Sequence, residues 1–154
     1  MKIMFICTGN ICRSAMAEAM LKKIVEQEKI PNIEVCSSGI YAETGDVSTI
    51  DAIEVMEEYG INLKEHRATN TKESQVEAMD LILCATLSHK IAVLQAYPDL
   101  KEKVYTIKEY AGLAKEGKGY DIADPWGCSI VTYRKCAAEI EDCLKEIVKK
   151  IQIH

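Results

Sequence analysis

The chain has 154 residues, 48% of them hydrophobic, with only 8 Gly and 3 Pro, which suits one folded domain over residues 1–154 and excludes a disordered chain. Its formal net charge of −5 argues against broad nucleic-acid binding, which needs a basic face, so any anion site has to be local. The seven cysteines include no CxxC pair and fit neither a secreted disulfide scaffold nor a zinc site; we interpret most of them as buried apolar residues in a reducing cytoplasm.

Short apolar runs alternate with segments of helical periodicity along the chain. Four runs have the length and composition of buried strands: residues 2–7, 33–37, 79–85 and 103–107. Four segments have apolar residues at helical spacing: 14–28, 48–59, 88–97 and a terminal helix with an apolar face from Ile130 to Ile151. This alternation predicts an α/β fold with a parallel sheet that helices cover on both faces.

Two further features bear on location and function. The polar, glycine-bearing segment 111–124 is predicted to be a long loop, and long loops in compact domains are often functional. The N-terminal apolar run is too short for a signal peptide, and no stretch has the length of a membrane span. We therefore expect a cytoplasmic protein without a membrane partner.

The segment between the first predicted strand and the first predicted helix has the pattern of a phosphate site. It reads CTGNICRS, with Cys7 and Arg13 separated by five residues. Gly9 and Asn10 tolerate positive φ, so successive backbone N–H groups can surround an anion, and the helix N-terminus adds its own. Arg13 can hold two phosphoryl oxygens through its planar guanidinium, and these positive surroundings favour a thiolate at Cys7, a nucleophile aimed at phosphorus. The predicted substrate-binding residues are Thr8, Gly9, Asn10, Ile11, Cys12, Arg13 and Ser14.

Together with Asp124-Pro125 near the C-terminus, this motif resembles the low-molecular-weight protein-tyrosine phosphatases over the whole chain. The resemblance implies three layers, with a four-stranded parallel sheet between helices. It implies hydrolysis through a phosphocysteine, with Cys7 as nucleophile, Arg13 as phosphate clamp and Asp124 as general acid and then base. No metal and no cofactor are required. The expected partners are phosphorylated protein substrates and anions such as phosphate or vanadate.

The resemblance also implies supporting roles. Ser14 provides the hydroxyl that hydrogen-bonds the thiolate, and Asn10 shapes the loop. Ser37 and His66 belong to a network that steadies Asn10. Cys12 matches the cysteine that in related phosphatases forms a protective disulfide with the nucleophile, which predicts reversible inactivation by peroxide.

The side chains expected to line the cleft bear on which phosphorylated residue the protein accepts. Tyr41 and Trp126 are candidates for aromatic walls, since Trp126 directly follows the Asp-Pro pair. The segments 104–110 and 124–127 are similar to bacterial members that include protein-arginine phosphatases. Those enzymes typically carry Thr where this chain has Ile11, and an apolar Ile11 suits an aryl phosphate. We favour phosphotyrosine, with phosphoarginine as the alternative.

Two other classes of function are compatible with parts of this sequence. Arsenate reductase shares this fold and loop but needs a relay of downstream cysteines, and Cys84 has no second cysteine in the loop that follows it. A non-catalytic phosphate-binding module would need neither Cys7 nor Asp124. Both alternatives are therefore less favoured than a phosphatase.

Overall fold

The computed structural model describes residues 1–114 and 119–153. Four parallel strands form one sheet: β1 (Lys2–Cys7), β2 (Glu34–Gly39), β3 (Leu81–Cys84) and β4 (Val104–Thr106). Their order is β2-β1-β3-β4, so β1 lies between β2 and β3. The predicted three-layer α/β fold with a four-stranded parallel sheet is confirmed; that residues 1–154 make up one domain stays a prediction.

The helices follow the predicted periodicity, with ends that differ by one or two residues at most positions. They are α1 (Arg13–Gln27), α2 (Ile50–Glu58), α3 (Leu87–Ala96), α4 (Ile107–Ala111) and α5 (Ile130–Ile153). Single 3₁₀ turns span Thr71–Glu73, Val76–Ala78 and Pro98–Leu100. The sequence did not predict α4, because a strand prediction that ran to residue 107 and a loop prediction that began at 111 left no room for it.

A capping box explains why α4 forms although it has only five residues. Thr106 Oγ1 accepts a hydrogen bond from Glu109 N at 3.0 Å, and Glu109 Oε1 accepts one from Thr106 N at 2.9 Å. Gly112, in the left-handed conformation at φ 76°, ends the helix. In the predicted loop, residues 112–114 and 119–124 have no helix or strand, and residues 115–118 lie outside the described part of the chain.

The sheet buries a hydrophobic core on each face because strand side chains alternate in direction. Ile3 and Phe5 of β1 pack in one core with apolar residues of α1, α2 and α5. Met4 and Ile6 pack in the other core, which includes Val93 of α3. Each fully buried side chain of this size contributes about 1.5–3 kcal/mol, so the central strand is held firmly from both faces.

This topology puts the end of β1 at a crevice. After β1 the chain forms β2 on one side of it and then crosses over to form β3 on the other side. In such sheets ligands bind beyond the carboxyl ends of the strands, at the point where the strand order reverses. The loop after Cys7 is attached to the segment after β2, where Ile40 N donates to Cys7 O at 3.0 Å and Tyr41 N donates to Thr8 O at 2.9 Å. Within the described residues, no helix is both long and apolar enough to cross a membrane.

Candidate active site

The loop from Cys7 to Arg13 joins β1 to α1 and has a turn conformation at its centre. Asn10 has φ 58°, the left-handed region that Asn tolerates better than most residues. Among the described residues, no acceptor takes a hydrogen bond from the backbone N–H groups of residues 9–14. Free N–H groups on a turn that leads into a helix N-terminus are suited to bind an anion.

Asn10 is fully buried and fixes the loop from inside. Its Nδ2 donates to Ser14 Oγ and to Ser37 Oγ, both at 2.8 Å, and its Oδ1 accepts from Thr69 N at 2.9 Å. His66 Nε2 lies 2.8 Å from the carbonyl oxygen of Asn10 and therefore donates to it. The structure thus brings Ser37 and His66 into contact with Asn10.

Ser14 connects this network to the cysteine. Its Oγ lies 2.9 Å from Cys7 Sγ. Because the same Oγ accepts the hydrogen bond from Asn10 Nδ2, its own hydrogen is available to donate to the sulfur. A hydroxyl donor at this distance stabilises a thiolate more than a thiol.

Arg13 lies beside the general-acid candidate. Its guanidinium is buried, and Nη1 donates to the carbonyl oxygen of Ile122 at 2.8 Å. Nη2 lies 3.5 Å from Asp124 Oδ2 and 3.5 Å from Thr8 Oγ1. The segment that carries Asp124 is anchored to the sheet, since Ile122 N donates to Ala85 O at 2.9 Å just beyond β3.

These residues line one cavity of about 250 Å³. Its lining consists of Cys7, Thr8, Gly9, Ile11, Cys12, Arg13, Asp124 and Trp126. The Trp126 side chain lies at the mouth, since the residue is 65% exposed, and its backbone N–H donates to Asp124 Oδ1 at 3.1 Å. Tyr41 does not line the cavity, and its side chain is 81% exposed, so its predicted role as an aromatic wall has no support from this geometry.

Cys12 lies on the buried side of the loop. It is 4% exposed, and its Sγ lies 3.6 Å from the Tyr133 hydroxyl and 3.8 Å from Thr49 Oγ1. Burial raises the pKa of the Cys12 thiol, while the hydrogen bond with Tyr133 opposes that effect. Burial therefore favours the thiol form of Cys12.

The structure adds residues that the sequence analysis missed. Glu18 of α1 accepts a hydrogen bond from Ser37 Oγ and so extends the Asn10 network. His89 Nε2 lies 2.8 Å from Thr8 Oγ1, although 81 positions separate the two residues. One signal existed for His89, since it follows the third predicted strand, and β3 proves to be adjacent to β1.

Within the described residues, no group of three or more His, Cys, Asp or Glu side chains could hold a metal ion. The site itself combines a cysteine, a loop of free N–H groups, an adjacent arginine and a nearby carboxylate. Together with the parallel α/β sheet, this is the arrangement of a cysteine-dependent phosphatase.

Comparison with known proteins gives the family. The model of the family described as low molecular weight phosphotyrosine protein phosphatase matches residues 2–154. The chain therefore belongs to the low-molecular-weight phosphotyrosine protein phosphatase family, whose members are phosphatases. The resemblance stated from the sequence is confirmed.

Similar proteins carry two kinds of name. A protein-arginine-phosphatase of Bacillus subtilis (strain 168) is 37% identical over 152 residues, which cover 99% of this chain and 97% of that protein. A probable low molecular weight protein-tyrosine-phosphatase, EpsP, of Ralstonia nicotianae is 34% identical and covers 97% of this chain and 90% of its own length. A structure of YwlE arginine phosphatase, a C7S mutant with a phosphorylated active site serine, matches with TM-score 0.90 at 36% identity, covering 99% of this chain and 96% of that one.

Proposed function

We propose that this phosphatase hydrolyses phosphotyrosine monoesters in proteins through a phosphocysteine on Cys7. One observation supports this best: Cys7, Arg13 and Asp124 line a single cavity whose apolar lining includes Ile11 and Trp126. The phosphorylated active-site serine of the C7S mutant of YwlE supports the covalent step, because it records phosphoryl transfer to the replaced side chain in that protein.

The proposed reaction has two transfers. The substrate phosphate binds to the loop N–H groups and to the Arg13 guanidinium. Cys7 Sγ attacks phosphorus in line, an S–P bond forms, and the P–O bond to the tyrosine breaks while Asp124 donates a proton to the leaving oxygen. A water molecule then attacks the phosphocysteine, Asp124 accepts a proton from that water, the S–P bond breaks, and inorganic phosphate leaves.

The choice of phosphotyrosine depends on the cavity wall. Ile11 contributes an apolar side chain next to Cys7, and Trp126 adds an exposed indole at the mouth. An aromatic leaving group gains favourable contact with both surfaces. A phosphoramidate has a polar guanidinium leaving group, which Ile11 cannot hydrogen-bond.

Phosphoarginine is the second candidate, and a specific observation favours it. The Bacillus subtilis relative of that name is 37% identical over 99% of this chain. A hydroxyl in place of Ile11 is the change expected to help position a phosphoramidate and the attacking water. A single position therefore separates the two candidates.

The test compares phosphotyrosine and phosphoarginine peptides of one sequence with the wild type, Ile11→Thr and Ile11→Val. Thr and Val have the same shape, so any difference between these two variants isolates the hydroxyl. We expect the wild type to prefer phosphotyrosine. We expect the Ile11→Thr variant to gain relative activity on phosphoarginine and the Ile11→Val variant to show no such gain. A wild type that prefers phosphoarginine would replace the first candidate with the second.

A cytoplasmic location belongs to the same proposal. All seven cysteines are free, which suits a reducing compartment. Fractionation of the source cells should recover the protein with cytoplasmic markers, and its recovery with membranes or medium would contradict this.

A further inference from the structure

His89 lies between two threonines and contacts the phosphate loop from outside it. Only 8% of its surface is exposed. On one side, Nε2 lies 2.8 Å from Thr8 Oγ1, and on the other, Nδ1 lies 3.0 Å from Thr86 Oγ1. Thr86 is the N-cap of α3, and its Oγ1 accepts the backbone N–H of His89 at 3.1 Å. The ring therefore joins the start of α3 to the loop after β1.

The hydrogen bonds of Thr86 favour one tautomer of the His89 ring. Thr86 Oγ1 already accepts from His89 N, and the described residues offer its own hydrogen no acceptor other than Nδ1. If the Thr86 hydroxyl donates to Nδ1, then Nε2 carries the ring hydrogen and donates to Thr8 Oγ1. The Thr86 hydroxyl and both ring nitrogens of His89 then each have a hydrogen-bond partner.

The charge state agrees with this arrangement. Burial, and next the Arg13 guanidinium, lower the pKa of His89 from 6.5 to about 4. Near neutral pH the ring is uncharged, with one donor and one acceptor.

The tautomer of His89 determines how the Thr8 hydroxyl can hydrogen-bond. Its Oγ1 accepts from His89 Nε2 and faces Arg13 Nη2 at 3.5 Å, so both oxygen lone pairs are directed at donors. The hydroxyl hydrogen is then left to donate elsewhere, and Thr8 lines the cavity with Cys7 and Asp124. We propose that His89 is a positioning residue that turns the Thr8 hydroxyl into a hydrogen-bond donor for the phosphoryl group in this cavity, an inference that rests on the proposed function.

The first test reads the tautomer directly in the wild-type protein. Nitrogen-15 NMR of the imidazole at neutral pH should show a protonated Nε2 and an unprotonated Nδ1 for His89. A protonated Nδ1 would overturn the proposal, because Nε2 would then accept the Thr8 hydrogen and remove it from the cavity. This measurement needs no enzymatic activity, so it is decided separately from the proposed function.

The second test asks whether His89 acts through Thr8. His89→Leu should lower kcat/KM for p-nitrophenyl phosphate about tenfold, the effect of one hydrogen bond to a charged group. His89→Gln, whose amide can still donate to Thr8, should recover most of the loss. In a Thr8→Val background, which lacks the hydroxyl, His89→Leu should have no further effect.

Equal losses from His89→Leu with and without the Thr8 hydroxyl would overturn the positioning role and leave only a packing role. Thr8→Ser is the matched control for Thr8→Val, since it keeps the donor. If the wild type itself hydrolyses no phosphate ester, the proposed function fails, whereas the NMR result still decides the tautomer.

Discussion

At the scale of single residues, Asp124 is positioned by contacts with its neighbours. Its Oδ2 lies 3.5 Å from Arg13 Nη2, and its Oδ1 accepts a hydrogen bond from the backbone N–H of Trp126 at 3.1 Å. The side chain is nonetheless 51% exposed, so it can reach a substrate at the cavity mouth. These contacts hold the carboxyl group beside the phosphate site, within reach of a leaving group.

Asp124→Asn should therefore lower kcat about 10²–10⁴-fold for a phenyl phosphate, whose leaving oxygen needs a proton. The loss should be smaller for p-nitrophenyl phosphate, because p-nitrophenolate leaves without one. Steady-state kinetics over a series of substituted phenyl phosphates checks this. Equal losses across the series would contradict the assignment, and Asp121→Asn serves as a control carboxylate in the same segment.

Cys7 and Cys12 give a second prediction at this scale. Mild peroxide should oxidise the Cys7 thiolate to a sulfenic acid, and the Cys12 thiol should then displace water to form a disulfide. Activity should return with dithiothreitol in the wild type but not in Cys12→Ala. Mass spectrometry that finds only sulfinic or sulfonic Cys7 in the wild type would contradict this.

Much of the site could be predicted because its main residues are close together in the sequence and form a recognisable pattern. The spacing of Cys7 and Arg13 and the turn residues between them stand next to each other in the sequence. The contacts of His89 and Glu18 with the loop could not be read in this way. Each depends on a hydrogen bond between elements whose packing the sequence pattern does not give.

At the scale of secondary-structure elements, β2 supports the phosphate loop by close contact. A Cβ on Gly39, at the end of β2, would lie 2.5 Å from Thr8 O and 2.8 Å from Asn10 N. Both atoms belong to the backbone of the loop, which cannot move without changing the direction of its N–H groups. A glycine is therefore required there for packing rather than for a special φ.

Gly39→Ala should lower kcat/KM about tenfold or more and weaken vanadate binding, because the added methyl group displaces the loop. Glu34→Ala, exposed at the other end of β2, should keep wild-type values. Kinetics with p-nitrophenyl phosphate and vanadate inhibition test this. Unchanged vanadate inhibition in Gly39→Ala would show that the loop does not depend on this contact.

The sequence predicted strands and most helices because each has a period or an apolar run. It missed α4 because five residues are too few for a helical period, and the capping box between Thr106 and Glu109 is the only local signal. Hydrophobic periodicity also does not predict the strand order β2-β1-β3-β4. The structure alone gives this order.

At the scale of the whole molecule, burial of His89 links folding to pH. Its pKa is about 4 in the folded protein, below the 6.5 of an exposed histidine, so the unfolded chain binds the proton more strongly. The contribution of the buried, neutral His89 to the free energy of unfolding is therefore fully present above pH 6.5 and is lost as the pH falls toward 4.

Between pH 7 and pH 5 the wild type should lose roughly 2 kcal/mol more free energy of unfolding than His89→Gln. Urea unfolding of both proteins at the two pH values measures this. The comparison with His89→Gln subtracts the contributions of groups far from residue 89. Equal losses would show that His89 titrates normally in the folded state.

The central claim is that Cys7 carries the phosphoryl group during turnover. Rapid quenching of Asp124→Asn during hydrolysis of p-nitrophenyl phosphate, followed by peptide mass spectrometry, tests it most directly. We predict one phosphoryl group on the peptide that contains Cys7 and none on that peptide in Cys7→Ala, which should be inactive yet still bind vanadate. A Cys7→Ala variant with wild-type activity, or a phosphoryl group on another residue, would contradict the account.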